Sequence, residues 1–431
     1  MTLRLSATLL LDKVQHGGSL NALFENAVNQ VDESDRAFFR ELVYGSLRLW
    51  PMYKGITRQL LEKPVKPKDS ALEALLILAL YELDKCSTPS YASVSAAVEV
   101  CSSLKRAWAA KLINACLRRY QREKTVLLEQ LGDSEQAALP GWLYKVLKKQ
   151  LPDHVDGLAE AGRHKPPLTL RVNTQRSSRD DYREQLSLAG IEAIPVGTYG
   201  LTLPSAVPVS HIPMFSDGVV SVQDESAQLA GTLVAGASTG AGAPLGIRVL
   251  DVCSAPGSKA CHLAELGAEV TAMDISPSRL ARVDENAHRL GLSIKTLVGD
   301  GRELGEVAED NTFDLVLLDV PCSATGVMRR NPDVKVIRLK SDINQFAELQ
   351  QALLQSAWRK VRPTGRLLYI TCSLLPAENE DIVSNFLAVT ANAKTIALSE
   401  SFGIEKKVGR QALPSVSGGD GLYYCMLEKV A

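Results

Sequence analysis

Ile247-Arg-Val-Leu-Asp251-Val-Cys-Ser-Ala-Pro-Gly257-Ser-Lys259 passes from an apolar run of strand length, through a turn marked by Pro256 and Gly257, into a helical pattern. The same alternation continues downstream. Strands are predicted at 247–252, 269–274, 294–298, 314–319 and 366–372, with helices at about 258–266, 276–290, 342–361 and 376–390. Near-continuous apolar strands separated by helices predict a doubly wound, mainly parallel α/β sheet covered on both faces. The run Gly421-Leu-Tyr-Tyr-Cys-Met-Leu-Glu428 reads as one more strand with no helix after it, returning antiparallel at an edge.

Upstream the period changes. From Ser6 to about Gln130 apolar residues recur at helical intervals, with Val94, Ala97, Val98, Cys101 and Leu104 on one core stripe, which predicts an all-α N-terminal domain over 1–138. Residues 139–235 mix short alternating runs, 168–173 and 218–222, with a helix near Ser178–Leu188, and predict a small α+β middle segment. The stretch from Gly236 to Gly246 is rich in small residues and reads as a flexible loop opening a third domain, 236–431. A chain of 431 residues is longer than one growing core serves, so a multidomain protein is expected.

A hydrophobic fraction of 45% with 23% charged residues is ordinary for a globular chain and argues against disorder. The net charge of −1 conceals an uneven distribution: residues 1–150 hold 21 Lys and Arg against 16 Asp and Glu, and the remainder 27 against 33. The excess lies in 101–149, including Lys105, Arg106, Lys111, Arg118, Arg119 and Arg122. A basic face for phosphates and an ordinary solvated helix surface explain it about equally well. The eight cysteines contain no C-x-x-C pair, so neither a zinc cage nor any other metal site is expected, and the short polar N-terminus lacks a secretory pattern. Reduced thiols in a cytoplasmic protein are expected. The apolar stretch around Leu72–Leu83 is too short to span a bilayer and is interrupted by Glu73 and Glu82, so no membrane partner is expected.

In a doubly wound sheet the ligand lies outside the carboxyl ends of the strands. The loop Cys253-Ser254-Ala255-Pro256-Gly257-Ser258-Lys259 occupies such an end, and Gly257 allows close backbone approach at a helix N-terminus. It is neither G-x-G-x-x-G nor a P-loop, so hydride and phosphate chemistry lose their usual support. The next three strands end at Asp274, Asp300 (in Gly299-Asp-Gly-Arg302) and Asp319. Unpaired aspartates are rarely core residues, and three acceptors at successive strand ends suit a ligand bearing ribose hydroxyls, an amine and adenine better than a polyphosphate. Two further strand ends carry cysteines, Cys322 and Cys372, 50 residues apart in sequence and neighbours in such a sheet. Two thiols facing one ligand site point to covalent chemistry, although a free Cys is more often a small buried hydrophobe.

Leu318-Asp-Val-Pro-Cys322-Ser-Ala-Thr-Gly-Val327, Thr371-Cys-Ser373, the Ala-Pro-Gly-x-Lys loop at 255–259 and Gly418-Gly-Asp-Gly-Leu-Tyr-Tyr424 together resemble the RNA cytosine-5 methyltransferases of the Sun family. So do Ser221-Val-Gln-Asp-Glu-Ser-Ala227 and Leu170-Arg-Val-Asn173 upstream. Ser34-Asp-Arg-Ala-Phe-Phe-Arg-Glu-Leu-Val-Tyr-Gly-Ser-Leu-Arg48 and Lys111-Leu-Ile-Asn-Ala-Cys-Leu-Arg-Arg119 resemble the NusB-type RNA-binding fold. Ser254, Ser258 and Ala260 depart from the Ala, Gly and Thr more common in the family's loop.

The resemblance implies a NusB-like helical domain, the α+β segment and a Rossmann-like methyltransferase sheet. It implies S-adenosylmethionine as cofactor and 16S rRNA, naked or early in assembly, as substrate. It also implies Cys372 as nucleophile, Cys322 as the group assisting elimination, and Asp319 at the polar edge of the base. Carbon 5 of cytosine attacks a sulfonium methyl only after a thiolate has added at carbon 6, and this is the reason such a site needs cysteine. An ionising thiol calls for an electropositive, partly desolvated setting. Lys259 is expected near cofactor or base, with a solvated surface lysine as the ordinary alternative. Arg329, Arg330, Lys335, Arg338 and Lys340, just after the Pro-Cys loop, are expected to hold RNA phosphates. Two other readings stay open: DNA cytosine methylation, which would use the Pro-Cys thiol, and a non-catalytic rRNA-binding assembly factor that has only inherited the sheet.

Overall fold

Nine strands form the central sheet of the computed structural model, which describes residues 2–205, 207–237, 246–306, 308–398 and 402–430. Four earlier strands, β1 (Leu168–Val172), β2 (Ile194–Val196), β3 (Gly200–Leu203) and β4 (Val220–Val222), make a separate antiparallel sheet in the order β2-β3-β1-β4. The large sheet contains β5 (Arg248–Val252), β6 (Glu269–Asp274), β7 (Lys295–Val298), β8 (Phe313–Asp319), β9 (Val361–Thr371), β10 (Ala393–Ile396), β11 (Ile404–Glu405), β12 (Arg410–Gln411) and β13 (Tyr423–Lys429). Its order is β11-β12-β13-β9-β8-β5-β6-β7, with β10 also paired to β13, and β5 to β9 run parallel.

Alternation along each strand supplies both faces. Val316 and Leu318 of β8 join one buried cluster with Leu250, Trp358 and Tyr369, while Leu315 and Leu317 join another with Val249, Ala272 and Ile370. Each such side chain removed from water contributes about 1.5–3 kcal/mol, so a strand buried on both sides reads as the continuous apolar run seen in the sequence. Helix boundaries follow local chemistry: the helix Pro277–Leu290 starts at Ser276, whose Oγ accepts from Arg279 N–H, and stops at Gly291 in the left-handed region.

Two expectations about elements need correction. The last strand does run antiparallel to β9, but it is interior, flanked by β9, β12 and β10, because Ala393–Ile396 and Arg410–Gln411 supply short outer strands that carry no periodic signal. The helix expected at 376–390 is a single 3-10 turn, Pro376–Glu378, followed by the helix Glu380–Val389. The break falls at Asn379, whose side chain accepts from Thr371 Oγ1 at 2.5 Å and donates to the Ser373 carbonyl and Gln411 Oε1. Most of the small-residue stretch read as a flexible loop, 238–245, lies outside the described residues.

The chain packs as two compact units, Met1–Lys165 with Met328–Lys340, and Pro166–Val327 with Ser341–Ala431. The first is helical around one core that includes Leu11, Phe39, Tyr53, Leu75, Leu80 and Leu117. Residues 328–340 thread into it. Lys335 is buried there, donating to the Arg48 and Gly162 carbonyls at 2.8 Å, and Asp333 accepts from Leu20 N–H at 2.9 Å. Arg329 is buried as well, and its carbonyl accepts from Arg48 Nε. The phosphate-holding role expected for Arg329 and Lys335 therefore fails: both face protein, whereas Lys340 is exposed. No described helix is long and apolar enough to cross a membrane.

Candidate active site

Parallel register brings the two thiols together. β8 and β9 pair with Leu318 beside Tyr369 and Asp319 beside Ile370, and Val320 N–H donates to the Ile370 carbonyl at 3.1 Å. Both strands end there, so Cys322 and Cys372 leave the sheet side by side, their sulfurs 3.3 Å apart. A third segment backs them. Gly326 N–H donates to the Cys372 carbonyl at 2.8 Å and Gly421 N–H to the Gly326 carbonyl at 2.9 Å. A Cβ on Gly326 would stand 2.0 Å from the Gly421 carbonyl oxygen, which explains why the Gly-Gly-Asp-Gly turn belongs with the thiol loops.

Glu378 joins the two loops from below and was not singled out in the sequence. Fully buried, it accepts from Ser323 N–H at 2.7 Å, Ser323 Oγ at 2.5 Å, Ser373 Oγ at 2.6 Å and Gln350 Nε2 at 3.2 Å. Each thiol is thus followed by a serine held by the same carboxylate. The available signal was its place six residues beyond Cys372, in Pro376-Ala-Glu-Asn-Glu380, but burial of an acid is invisible until its donors are assembled.

A cavity of about 470 Å³ opens at the carboxyl ends of the parallel strands. Its wall includes Asp274, Asp300, Asp319, Cys253, Cys322 and Cys372, so the three acids and both thiols expected at the site border one space. From the predicted nucleotide loop only Cys253 and Ala255 line it. Ser254 is spent on Asp251, its Oγ donating to Oδ2 at 2.7 Å. Gly257, at φ +89, caps the helix Ser258–Glu265 with Val283 directly behind it, so a side chain would be both strained and crowded. The Pro256 carbonyl accepts from Asn286 Nδ2 and the Ser258 carbonyl from Arg171 Nη1.

Asp274 accepts from the backbone N–H groups of Ser276 at 3.0 Å and Ala255 at 3.3 Å, and Arg279 lies 3.4 Å away. Asp300 is paired with Arg302 at 2.5 Å; that hydrogen bond, more than any other influence, holds its carboxyl below the usual carboxylate range. Lys259 is no solvated surface lysine. Its Nζ lies 2.5 Å from Asp319 Oδ2, and its side chain is 11% exposed. Burial works against its charge, but Asp319, Asp251 and the Cys372 sulfur outweigh burial and leave the ammonium pKa raised.

Burial pushes the Asp251 carboxyl up to about 7 and the Cys253 thiol up to about 12. The Cys322 thiol is also raised, by its hydrogen bond to Cys372, then burial, the charge of Cys372 and that of Glu378. Either sulfur can donate across this contact, and Lys259, held by Asp319, supports the charge of Cys372 in turn. The cations close to this space, Lys259 and the wall residues Arg279 and Arg302, each pair with one of the three aspartates.

The upstream motifs have structural partners in the same unit. Arg171 of β1, wholly buried, forms a two-point ion pair with Glu265 at 2.7 and 2.9 Å and reaches Gln223 Oε1, tying the small sheet to the helix that starts at Gly257. Asp224 accepts from Ser226 and Asp420 N–H, holding Ser221–Ala227 against the Gly-rich turn. Among the described residues no group of three His, Cys, Asp or Glu is placed to hold a metal ion.

A doubly wound sheet whose carboxyl edge offers acids at three successive strand ends, beside a cavity of ligand size, defines the class of Rossmann-like S-adenosylmethionine-dependent methyltransferases. Residues 246–428 match the sequence profile of the 16S rRNA methyltransferase RsmB/F, residues 1–122 that of the NusB family, and residues 139–210 that of an RsmF/B-like ferredoxin-like domain. The protein named ribosomal RNA small subunit methyltransferase B in Pseudomonas putida is 40% identical over 439 residues, covering 100% of this chain and 99% of the relative. Its namesake in Pasteurella multocida is 38% identical over 437 residues, covering 100% and 96%. The crystal structure of PH0851 shares the fold at TM-score 0.79 and 23% identity over 99% of each chain, and NSun6 from Pyrococcus horikoshii, solved with SFG, at 0.59 and 20% over 68% of this chain and 98% of its own. This chain belongs to the ribosomal RNA small subunit methyltransferase B family.

Proposed function

We propose that the protein methylates carbon 5 of a cytosine in 16S rRNA, naked or early in assembly, through a transient bond between Cys372 and carbon 6. The observation that carries this reading is the pair of sulfurs 3.3 Å apart on the wall of the cavity bordered by Asp274, Asp300 and Asp319. The relatives' name supplies the rRNA. The division into a helical part over 1–138, an α+β part over 139–235 and a transferase part over 236–431 belongs to the same reading.

The residues present suit the cofactor. Asp274 and Asp300 are acceptors for hydroxyl and amine groups, and Met273, Ile275, Leu349 and Leu353 offer apolar wall to an adenine. S-adenosylmethionine, when bound, supplies an electrophilic methyl group. The remaining chemistry falls to the chain. The Cys372 thiolate adds to carbon 6, and the ring π electrons move toward carbon 5, which takes the methyl. Asp319, oriented by Lys259, accepts from the exocyclic amine of the base. Cys322, beside Cys372, gives its proton to solvent and then as thiolate takes the carbon 5 proton; the carbon 5–carbon 6 double bond re-forms, and the sulfur–carbon 6 bond breaks with its electron pair returning to Cys372 as thiolate. A target cytosine must leave its stack to reach sulfurs at a strand end, which favours a loop or splayed nucleotide.

Labelled methyl incorporation into 16S rRNA, run beside denaturing gels, tests the proposal. Cys372→Ala abolishes incorporation and forms no adduct, whereas Cys322→Ala accumulates a denaturation-resistant protein–RNA adduct. An adduct with Cys372→Ala would reverse the roles, and incorporation undiminished in both variants would remove the covalent mechanism.

A further inference from the structure

The helical unit carries a groove of about 590 Å³ between the segment 61–70 and the junction of the helices Ser90–Ser103 and Ala110–Glu129. Its floor is apolar, with Leu72, Leu76 and Ile113 buried. Its rim carries Lys63, Lys66, Lys68 and Lys105, all exposed, and none of the four has an ion-pair partner among the described residues. The lining holds one carboxylate, Asp69, buried and already paired with Arg106 Nε at 2.5 Å. The other Arg106 nitrogens donate to the Lys68 and Lys105 carbonyls at 3.2 Å, so this arginine staples the two sides and leaves the lysines uncompensated.

The backbone holds Lys105 at this rim. Arg106 N–H returns to the Cys101 carbonyl and Lys105 N–H to that of Ser102, closing the helix with Lys105 at φ +57, where glycine is the usual occupant. Beside it Trp108 is 63% exposed, an unusual state for the largest side chain in a helical unit whose Trp50 is 3% exposed. A flat aromatic face next to several unpaired ammonium groups over an apolar floor matches a nucleotide strand: base on indole, phosphates on lysines. An acidic peptide would satisfy the lysines and leave the indole unexplained.

We infer that this groove binds single-stranded RNA, with Trp108 stacking a base and Lys63, Lys66, Lys68 and Lys105 holding its backbone. The inference goes beyond the transfer chemistry and does not require it. Anisotropy of a labelled, unstructured oligouridine of about 12 nucleotides, titrated with the full-length chain without cofactor, tests it. Trp108→Ala weakens binding at least about fivefold, the lower end of base–aromatic stacking, and Trp108→Phe recovers most of the loss. Lys63→Gln, Lys66→Gln and Lys68→Gln together reduce the slope of log affinity against log salt by about 2, at about 0.7 per single-strand phosphate. All these positions are exposed, and melting curves matching the unmodified chain establish that the variants are folded. Oligouridine affinity and salt slope unchanged in every variant would overturn the inference, and so would polyglutamate competing as well as RNA in a Trp108-independent way, which would mark an acidic protein partner. Methyl transfer measured in parallel keeps the two readings apart: Trp108-dependent binding in a chain that transfers no methyl upholds the groove and removes the proposed activity.

Discussion

Glu378→Ala strips the acceptor that holds Ser323 and Ser373, the residues immediately after the two thiols. The hydroxyls have a fallback, since Ser323 Oγ and Ser373 Oγ already lie 3.2 Å apart. The buried Ser323 N–H loses its 2.7 Å bond to a carboxylate, and a hydrogen bond to a charged group contributes about 1.5–3 kcal/mol. With the volume of the lost side chain added, the expected destabilisation is about 3–5 kcal/mol, a melting shift on the order of 10 °C for a unit of this size. Displacement of the thiol loops by about 1 Å lowers methyl transfer about a hundredfold.

Glu378→Gln separates positioning from bulk stability. Its amide oxygen still accepts from Ser323 N–H, and its NH₂ donates to hydroxyls that turn to accept, so the loss is about 1–2 kcal/mol and the rate stays within about tenfold. Because the Glu378 charge helps to raise the Cys322 thiol, the glutamine variant also shifts Cys322 alkylation to lower pH. Thermal melts, initial rates of labelled methyl incorporation and iodoacetamide labelling against pH are the assays. An alanine variant that melts within about 2 °C of the parent and methylates within about threefold of it would refute the reasoning, since a shift that small corresponds to about 1 kcal/mol or less.

Two further outcomes follow from charges whose burial only the structure exposed. Lys259→Met leaves Asp319 without its partner at 2.5 Å, and methyl transfer is expected to fall about tenfold to a hundredfold in kcat with KM for RNA little changed; a KM effect alone would show that the pair serves binding instead. Burial, then Arg48 and Arg163, lowers the Lys335 ammonium from 10.5 to about 7. Between those values the unfolded chain binds a proton that the folded one does not. Stability therefore rises with pH across that window by up to about 1.4 kcal/mol per unit, and the burial penalty is fully present below it. Lys335→Met removes this rise, so urea midpoints of parent and variant that change in parallel between pH 7 and 9 would contradict it.

Much of the catalytic fold was legible because its signals are local. Apolar strands of four to seven residues, the Pro256-Gly257 turn and the Ser276 cap each act within a few positions, so the predicted β5, β6, β7 and β8 and the helices between them lie close to the observed ones. β11 and β12 escaped because two residues carry no period, and β10 because Lys394 and Thr395 interrupt any apolar run. β13 offers an edge to β10 and β12, and β12 offers one to β11, which is also why β13 is not at the margin of the sheet. The gathering of Asp274, Asp300, Asp319, Cys322 and Cys372 was foreseen from strand ends alone, since a parallel sheet places all its carboxyl ends on one side.

Pattern and composition by themselves determined that this chain builds a helical domain and, later in the sequence, a parallel sheet, and which acids and thiols emerge at the carboxyl edge of that sheet. Only the tertiary structure decided that the sulfurs touch, that Glu378 holds both their loops, that Lys259 belongs to Asp319, and that Arg329 and Lys335 turn away from any phosphate into the helical core. Strand and helix type depend on neighbours a few residues away. The burial of a charge depends on donors and acceptors brought from distant parts of the chain, such as Ser323 for Glu378 and the Gly162 carbonyl for Lys335.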